Sequence, residues 1–351
     1  MSSKPNRFRN SAIVQLVLAR VREFYRQPEA IFWVYGFPLI MVIALGIAFR
    51  QRPVEQVKVD IHDGPQAQQV VAALADHEQF ITSIDNEQSC QQRLRVGKTD
   101  VVISAETDGY RFYYDPGKPG SVLARNELNN ALQRFAGRLD PIDTHDIQMN
   151  EPGGRYIDFL VPGLLGMSLM SGGLWGIGFV IVDMRIRKML KRFMATPMKR
   201  SHFLASLMIS RLLFLIPEVL ALLIFSRYVF GVVIYGNIGL LVFLILLGSV
   251  MFNGIGLLVA SRAQTLETIS GLMNLVMLPM WIMSGIFFSI DRFPEVAQPF
   301  IRLIPLTPVI NSLRSVMLEG ATLTAIGPEI AYMMICSVVC FAAALKVFRW
   351  N

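Results

Sequence analysis

The residue types that most often carry enzymatic chemistry are few in this chain and far apart. The four histidines, His62, His77, His145 and His202, have no second histidine or cysteine at the spacing of a metal site. The DTHD sequence at 143–146 is more typical of a solvated loop than of a ligand cluster. No nucleophile elbow and no pair of catalytic carboxylates stands out. We therefore expect no catalytic residue, no metal and no cofactor in this chain.

A nucleotide site is also not predicted. A P-loop needs the pattern GxxxxGK[ST], in which backbone amides surround the phosphates. The tripeptide GKT that begins at Gly97 lacks the upstream glycine of that pattern. If the protein works with ATP, ATP and Mg²⁺ must bind to another polypeptide.

One acidic residue lies well inside an apolar run. Glu218 follows Pro217, and burying a carboxylate costs several kcal/mol unless it is paired or hydrated. It can line a water-filled pathway or pair with Arg211, Arg227 or Arg314. The alternative is a side chain that reaches the membrane interface.

Three other residues are candidates for a translocation path, together with Glu218. Asn253 and Asn274 lie in later apolar runs, where hydrogen bonds between helices explain them at least as well. Met277 belongs to a methionine stripe that favours either packing or an adaptable hydrophobic path. The candidate path is therefore Glu218, Asn253, Asn274 and Met277.

The basic segment 183–200 is the clearest functional signal. Seven basic residues stand there beside a single acid, Asp183, and apolar residues recur at helical spacing. The pattern predicts a cytoplasmic amphipathic helix of about three turns that Pro197 ends. A loop that only fixes topology does not need the periodic apolar face. The candidate docking residues are Arg185, Arg187, Lys188, Met189, Lys191, Arg192, Phe193, Thr196 and Pro197.

Composition sets the class of protein. The chain has 351 residues, of which 53% are hydrophobic, and a formal net charge of +7. The mean hydropathy of +0.46 indicates a polytopic membrane protein. Because no basic face with interleaved aromatic residues occurs in a soluble region, nucleic-acid binding is not expected.

Six apolar runs are long enough to cross a membrane. Residues 1–28 form a cytoplasmic tail and an amphipathic helix that lies in the membrane interface or packs on the protein itself. The predicted spans are 29–49, 157–182, 202–226, 231–260, 268–290 and 326–347.

The polar segment 50–156 predicts a small α+β domain inserted after the first span. Alternation favours strands at 57–61, 80–84, 100–104 and 111–114, and helical patterns cover 66–77, 86–96 and 121–139. With the 183–200 loop and both termini in the cytoplasm, this domain is extracytoplasmic. The proline-rich segment 291–322 is then outside too, or dips back into the membrane.

Small residues recur in the second span and permit close approach of helices, which we interpret as subunit packing. They are Gly163, Gly166, Ser171, Gly172, Gly173, Gly176 and Gly178.

The chain resembles the ABC-2-type transport permeases, the membrane subunits of ATP-driven exporters. The resemblance rests on FMATPMKR with the helix before it, the large insert after the first of six spans, and the late IPLTPVINSLRSVMLEG segment. In that family the helix matching 183–200 is the coupling helix that docks on the ATPase. Lys188 and Lys191 depart from the acidic, glycine-containing sequence often found there, which favours a more acidic ATPase surface.

The resemblance implies a permease subunit that moves a drug, lipid or hydrophobic metabolite outward across a bacterial inner membrane. It implies an ABC ATPase on a separate chain and a second permease, identical or different. Membrane lipids and a periplasmic partner complete the expected partners. The alternative is a membrane-anchored sensor or envelope-assembly factor whose outer domain binds a partner.

Overall fold

The computed structural model describes two units, which are formed by residues 51–149 and by residues 1–50 with 150–351. The described residues are 12–48, 56–75, 77–106, 109–139, 142, 154–195 and 200–348.

The first two helices of the described residues belong to the larger unit. Helix α1 is Ala12–Tyr25, and helix α2 consists of three consecutive segments, Pro28–Ile31, Phe32–Gly36 and Phe37–Ala48. The middle segment of α2 is a π-helix, a wider turn that often marks a functional position.

The smaller unit is built on a four-stranded sheet with the order β2-β1-β3-β4. Strand β1 pairs in parallel with β2 and β3, and β4 pairs antiparallel with β3. The strands and helices predicted between 57 and 139 are all present. They are β1 (Val57–His62), α3 (Ala67–Leu74), β2 (Phe80–Asp85), α4 (Glu87–Arg95), β3 (Val101–Glu106), β4 (Gly109–Tyr113) and α5 (Pro119–Phe135).

Alternation along β1 assigns its two faces to different neighbours. Val59 and Ile61 belong to a core formed with α3 and α5. Asp60, on the opposite face, forms a 3.0 Å ion pair with Arg93 of α4. Cys90, also on α4, is fully buried, and this burial raises the pKa of its thiol.

The remaining helices complete the larger unit. Helix α6 again has three consecutive segments, Tyr156–Gly173, the π-helical Leu174–Phe179, and Val180–Ile186. The others are α7 (Met189–Met194), α8 (Arg200–Phe230), α9 (Ile238–Ala260), α10 (Leu266–Met283), α11 (Gln298–Arg302), α12 (Leu306–Glu319) and α13 (Gly327–Val347).

Five helices of the described chain are long and apolar enough to cross a membrane, and they belong to α6, α8, α9, α10 and α13. A sixth apolar stretch, Phe32–Ala48, is shorter. The chain is therefore a polytopic helical membrane protein. Helix α1 packs on α8, because the ring of Phe24 stacks on Phe214 at 4.3 Å between centroids.

Two predicted spans are longer than the helices that they contain, because tertiary contacts end these helices earlier than hydropathy suggests. The fourth span was expected from 231, but α9 begins at Ile238, where the Asn237 side chain accepts hydrogen bonds from the first backbone amides. The preceding loop instead donates from Tyr235 N to the carbonyl of Met317 at 2.9 Å. The fifth span was expected to reach 290, but α10 ends at Met283, shortly before Gly285 with φ +82°.

Two other predicted spans are shorter than the helices that contain them. The second span, predicted to end at 182, continues as α6 to Ile186, and the third, predicted as 202–226, is the longer α8. The proline-rich segment 291–322 contains a continuous helix, α12, whose apolar residues are mostly buried in the helical unit. Helix α12 accommodates Pro308 because this residue lies in the first turn, where no amide donor is needed.

Several glycines of α6 make close contacts inside this chain, and their expected role in subunit packing stays a prediction. A Cβ at Gly173 would lie 2.6 Å from Phe252 of α9, and one at Gly163 would lie 2.8 Å from the carbonyl of Ile286. Helix α6 is therefore the central element on which α9 and the segment after α10 pack.

Candidate functional site

The basic segment does not form the single three-turn helix that its periodicity predicts. Helix α6 continues to Ile186, and Lys188 then adopts the left-handed conformation with φ +57°. Helix α7 follows with only six residues. The left-handed residue ends one helix and redirects the chain into the next, because L-residues do not continue a right-handed helix from that region. Thr196 and Pro197 lie outside the described residues.

Arg185, predicted as a docking residue, faces the protein instead. Its guanidinium donates hydrogen bonds to the carbonyls of Ala260 at 3.1 Å, Ser261 at 3.3 Å and Ala263. It also lies over the ring of Phe348 at 5.4 Å. Two of these carbonyls belong to the last residue and the C-cap of α9, where the helix lacks its own donors and its dipole favours a cation.

The residues that follow Arg185 divide between an outward and an inward face. Leu190 is buried, and the ring of Phe193 packs against Phe203 of α8 at 5.4 Å. The exposed residues are Ile186, Arg187, Lys188, Met189, Lys191, Arg192 and Ala195. We call these seven residues the basic surface. Its four cations and two large apolar side chains remain available to a partner.

Arg187 contributes only part of its charge to this surface. It forms a 2.9 Å ion pair with Asp183 one turn earlier, but 68% of its side chain is exposed. An exposed pair of this kind contributes little free energy and exchanges readily for another acidic partner.

Glu218 lies in a buried ion pair, one of the alternatives left open by the sequence. Arg211 donates to its carboxylate at 2.9 Å, and both side chains are 5% exposed. The interpretation as a side chain that reaches the interface is therefore wrong. The two residues are seven apart and share one face of α8.

The same pair explains two glycines of α6. A Cβ at Gly172 would lie 1.4 Å from the Arg211 guanidinium, and one at Gly176 would lie 3.1 Å from its Cδ. Tyr35 of α2 donates to the carbonyl of Phe214, which lies between Arg211 and Glu218 on α8. The ion pair is thus enclosed where α2, α6 and α8 meet.

The four candidates for a translocation path do not line one surface. Asn253 is fully buried, and its two amide atoms have no hydrogen-bond partner among the described residues. Met277 is also buried, whereas Asn274 on the same helix α10 is exposed. Of the four candidates, only Asn274 is therefore exposed.

Sequence reasoning missed Arg155 and considered Arg314 only as a partner for Glu218, whereas both arginines hold the opposite end of α6. Arg155 donates to the Phe230 carbonyl at 2.8 Å and to the Asp158 carboxylate at 2.9 Å. Hydrogen bonding to Asp158 raises the pKa of the Arg155 guanidinium. Arg314 of α12 donates to the carbonyls of Gly285 at 2.9 Å and Phe159 at 3.3 Å. Arg155 was hidden because it precedes the apolar run, and backbone acceptors leave no signal in sequence.

Comparisons of the sequence with known proteins identify the family. A family model described as ABC-2 family transporter protein matches residues 28–346. The chain is 28% identical over 224 residues to ABC transporter G family member 20 of Dictyostelium discoideum, and the match covers 63% of this chain and 30% of that protein.

Two bacterial relatives are also similar. Linearmycin resistance permease protein LnrN of Bacillus subtilis (strain 168) is 27% identical over 128 residues, which are 36% of this chain and 33% of LnrN. Inner membrane transport permease YhhJ of Escherichia coli (strain K12) is 21% identical over 234 residues, 65% of this chain and 61% of YhhJ. The chain thus spans about a third of the first two relatives and less than two thirds of the third. Because the family model covers most of its length, this chain belongs to the ABC-2 family of transporter proteins.

Proposed function

We propose that this chain is the membrane permease subunit of an ATP-driven exporter, coupled to an ATPase on a separate polypeptide. The observation that carries the proposal is the basic surface, which directly follows α6, the most buried of the five long helices, and presents Arg187, Lys188, Lys191 and Arg192 outward. Complementary charge steers association and fixes the register of two surfaces. An acidic groove on the ATPase is the partner that this surface fits.

The proposed topology has six spans in a bacterial inner membrane. The five long helices and α2, whose three segments run from Pro28 to Ala48, supply them. At 1.5 Å per residue α2 is about 30 Å long, the thickness of a hydrocarbon core. The excess of Lys and Arg supports an orientation with the basic surface and both termini in the cytoplasm and the unit 51–149 outside.

The proposed mechanism uses the two faces of α7. The ATPase binds ATP and Mg²⁺, and its closure displaces the basic surface. Leu190 and the Phe193–Phe203 contact then carry the displacement into the helical unit. A second permease, identical or different, completes the assembly. The substrate must prefer one of the two resulting conformations, because equal binding shifts no equilibrium.

The substrate that we propose is a drug, lipid or hydrophobic metabolite moved outward. Among the four path candidates, Asn274 is the one that is exposed on its helix, beside Leu275 and Leu278. Glu218, Asn253 and Met277 are buried in the helical unit and become accessible only if the spans separate. The names of the relatives favour transport, and the alternative of a sensor or assembly factor gains no support from them.

The test is recovery of the partner from the native host. The detergent-solubilised chain is pulled down as the native protein, as Lys191→Glu with Arg192→Glu, and as the control Lys346→Glu, an exposed lysine at the end of α13. We expect a P-loop ATPase with the native chain and the control, and at least a tenfold loss with the double variant. An intact native chain that recovers no ATPase would contradict the proposal.

A further inference from the structure

Arg185 joins three separate parts of the helical unit. It belongs to the last turn of α6, its donors reach the turn 260–263 between α9 and α10, and its guanidinium covers Phe348 after α13. Ala260, Ser261 and Ala263 are each at most 3% exposed. Their carbonyls therefore depend on this one side chain for the hydrogen bonds described above.

Arginine suits this position better than lysine does. A planar guanidinium carries five donors in a fixed fork and stacks on a ring, whereas a lysine ammonium is a point charge on a flexible stem. The helical spacing agrees, because Arg185 shares a face with the buried residues Gly178, Ile181 and Val182.

Arg185 lies between the helical unit and the basic surface along the chain. Arg185 stands three residues before the left-handed Lys188, so it is the last inward-facing cation before the basic surface begins. A displacement of that surface reaches the end of α6 through Lys188, besides reaching α8 through the Phe193–Phe203 contact. Rigid elements joined by hydrogen bonds carry such displacements.

We infer that Arg185 is a positioning residue that passes movement of the ATPase-bound basic surface to the turn 260–263, and hence to α9 and α10. The inference rests on the proposed function. It gives Arg185 a role in transmitting movement and not in docking the ATPase.

The experiment compares two spin labels in the complex of permease and ATPase in nanodiscs. Cys90, Cys336 and Cys340 are first replaced by Ala, and one label is then attached through Arg262→Cys in the turn or Lys191→Cys in the basic surface. Both positions are exposed. Because Lys191 belongs to the docking surface, a pull-down first checks that the labelled Lys191→Cys protein still binds the ATPase. The measurement is the change in label mobility on adding ATP, Mg²⁺ and orthovanadate, with and without Arg185→Gln.

With Arg185 present we expect a change at both labels. With Arg185→Gln the change at position 262 should fall at least fivefold, while the change at position 191 stays within twofold. Arg185→Lys, which keeps the charge but not the fork, should give an intermediate response at 262. It also decides the question if Arg185→Gln does not fold.

If either Arg185 variant responds at position 262 as strongly as the protein that keeps Arg185, the inference is overturned. Equal losses at both labels would also overturn it, because they indicate that Arg185 acts in docking the ATPase. A response at 191 but not at 262 with Arg185 present would also overturn it. If neither label responds with Arg185 present, the proposed function fails, and the inference fails with it.

Discussion

The two ends of helix α6 are both held by arginine, but their surroundings differ. At its beginning, Arg155 and Arg314 bind the carbonyls of Phe230, Gly285 and Phe159. At its end, Arg185 binds three carbonyls in a similar way. The residues beyond Arg185, however, form an exposed basic surface.

This difference separates two uses of positive charge in a membrane protein. A guanidinium beside orphan carbonyls fastens helices together, because buried polar groups must be satisfied. Cations that face outward add little stability and remain free to recognise an acidic partner. The position of the charge relative to the helix ends therefore matters more than the number of charges.

The largest effect should come from breaking α6 between its two ends. Gly172→Leu places a side chain where the Arg211 guanidinium lies, and separating a buried ion pair costs about 3–5 kcal/mol. We expect no monodisperse protein in detergent. The control is Gly271→Leu, because a Cβ there meets nothing within 4 Å. Equal yields for the two variants would show that α6 and α8 do not pack as described.

The beginning of α6, which Arg155 and Arg314 hold and which we call its closed end, should be the next most sensitive. Arg314→Ala removes two hydrogen bonds to carbonyls and the contact 3.6 Å above the Phe159 ring, at a cost of about 3 kcal/mol. Arg302→Ala, at an exposed arginine of the neighbouring α11, should change stability by less than about 0.5 kcal/mol. Thermal unfolding in detergent measures both. A similar loss for both would remove the distinction between fastening and surface arginines.

A smaller effect of opposite sign is expected at the left-handed residue. Lys188→Gly relieves the strain of φ +57° and should stabilise the folded state by up to about 1 kcal/mol. Lys188→Ala, which removes the same charge but keeps a Cβ, is the control and should not stabilise. If alanine raises the melting temperature as much as glycine does, the charge and not the backbone is responsible.

The smallest effect on stability is expected at the basic surface. Lys191→Glu with Arg192→Glu should change the free energy of unfolding by less than about 0.5 kcal/mol, because both side chains are exposed. The same thermal unfolding assay checks this. A loss above about 2 kcal/mol would mean that these residues fasten the fold, as Arg185 does.

Much of the fold was predictable from the sequence because its signals are local. Charge-free apolar runs indicated the long helices, and alternation indicated the strands of the sheet. The ends of α9 and α10 were not predictable, because residues 231–237 are apolar enough for a span but are held by α12. A Cβ at Gly236 would lie 2.2 Å from the carbonyl of Val316, a contact that hydropathy does not report.

The candidate site was predictable in charge but not in shape. The seven-residue spacing of Arg211 and Glu218 allowed their pairing, although Arg227 and Arg314 were equal alternatives. The roles of the basic residues in 183–200 depend on one left-handed residue, and lysine carries no signal for that conformation. Helical spacing from Gly178 and Val182 was the one available sign that Arg185 points inward.

Hydrogen–deuterium exchange with and without the partner ATPase tests the central claim most directly. We predict that ATPase binding protects amides in 186–195 and leaves 156–160 and 283–292, at the closed end of α6, unchanged. Protection at the closed end, or none in 186–195 when the complex is formed, would contradict the assignment of the basic surface to ATPase docking.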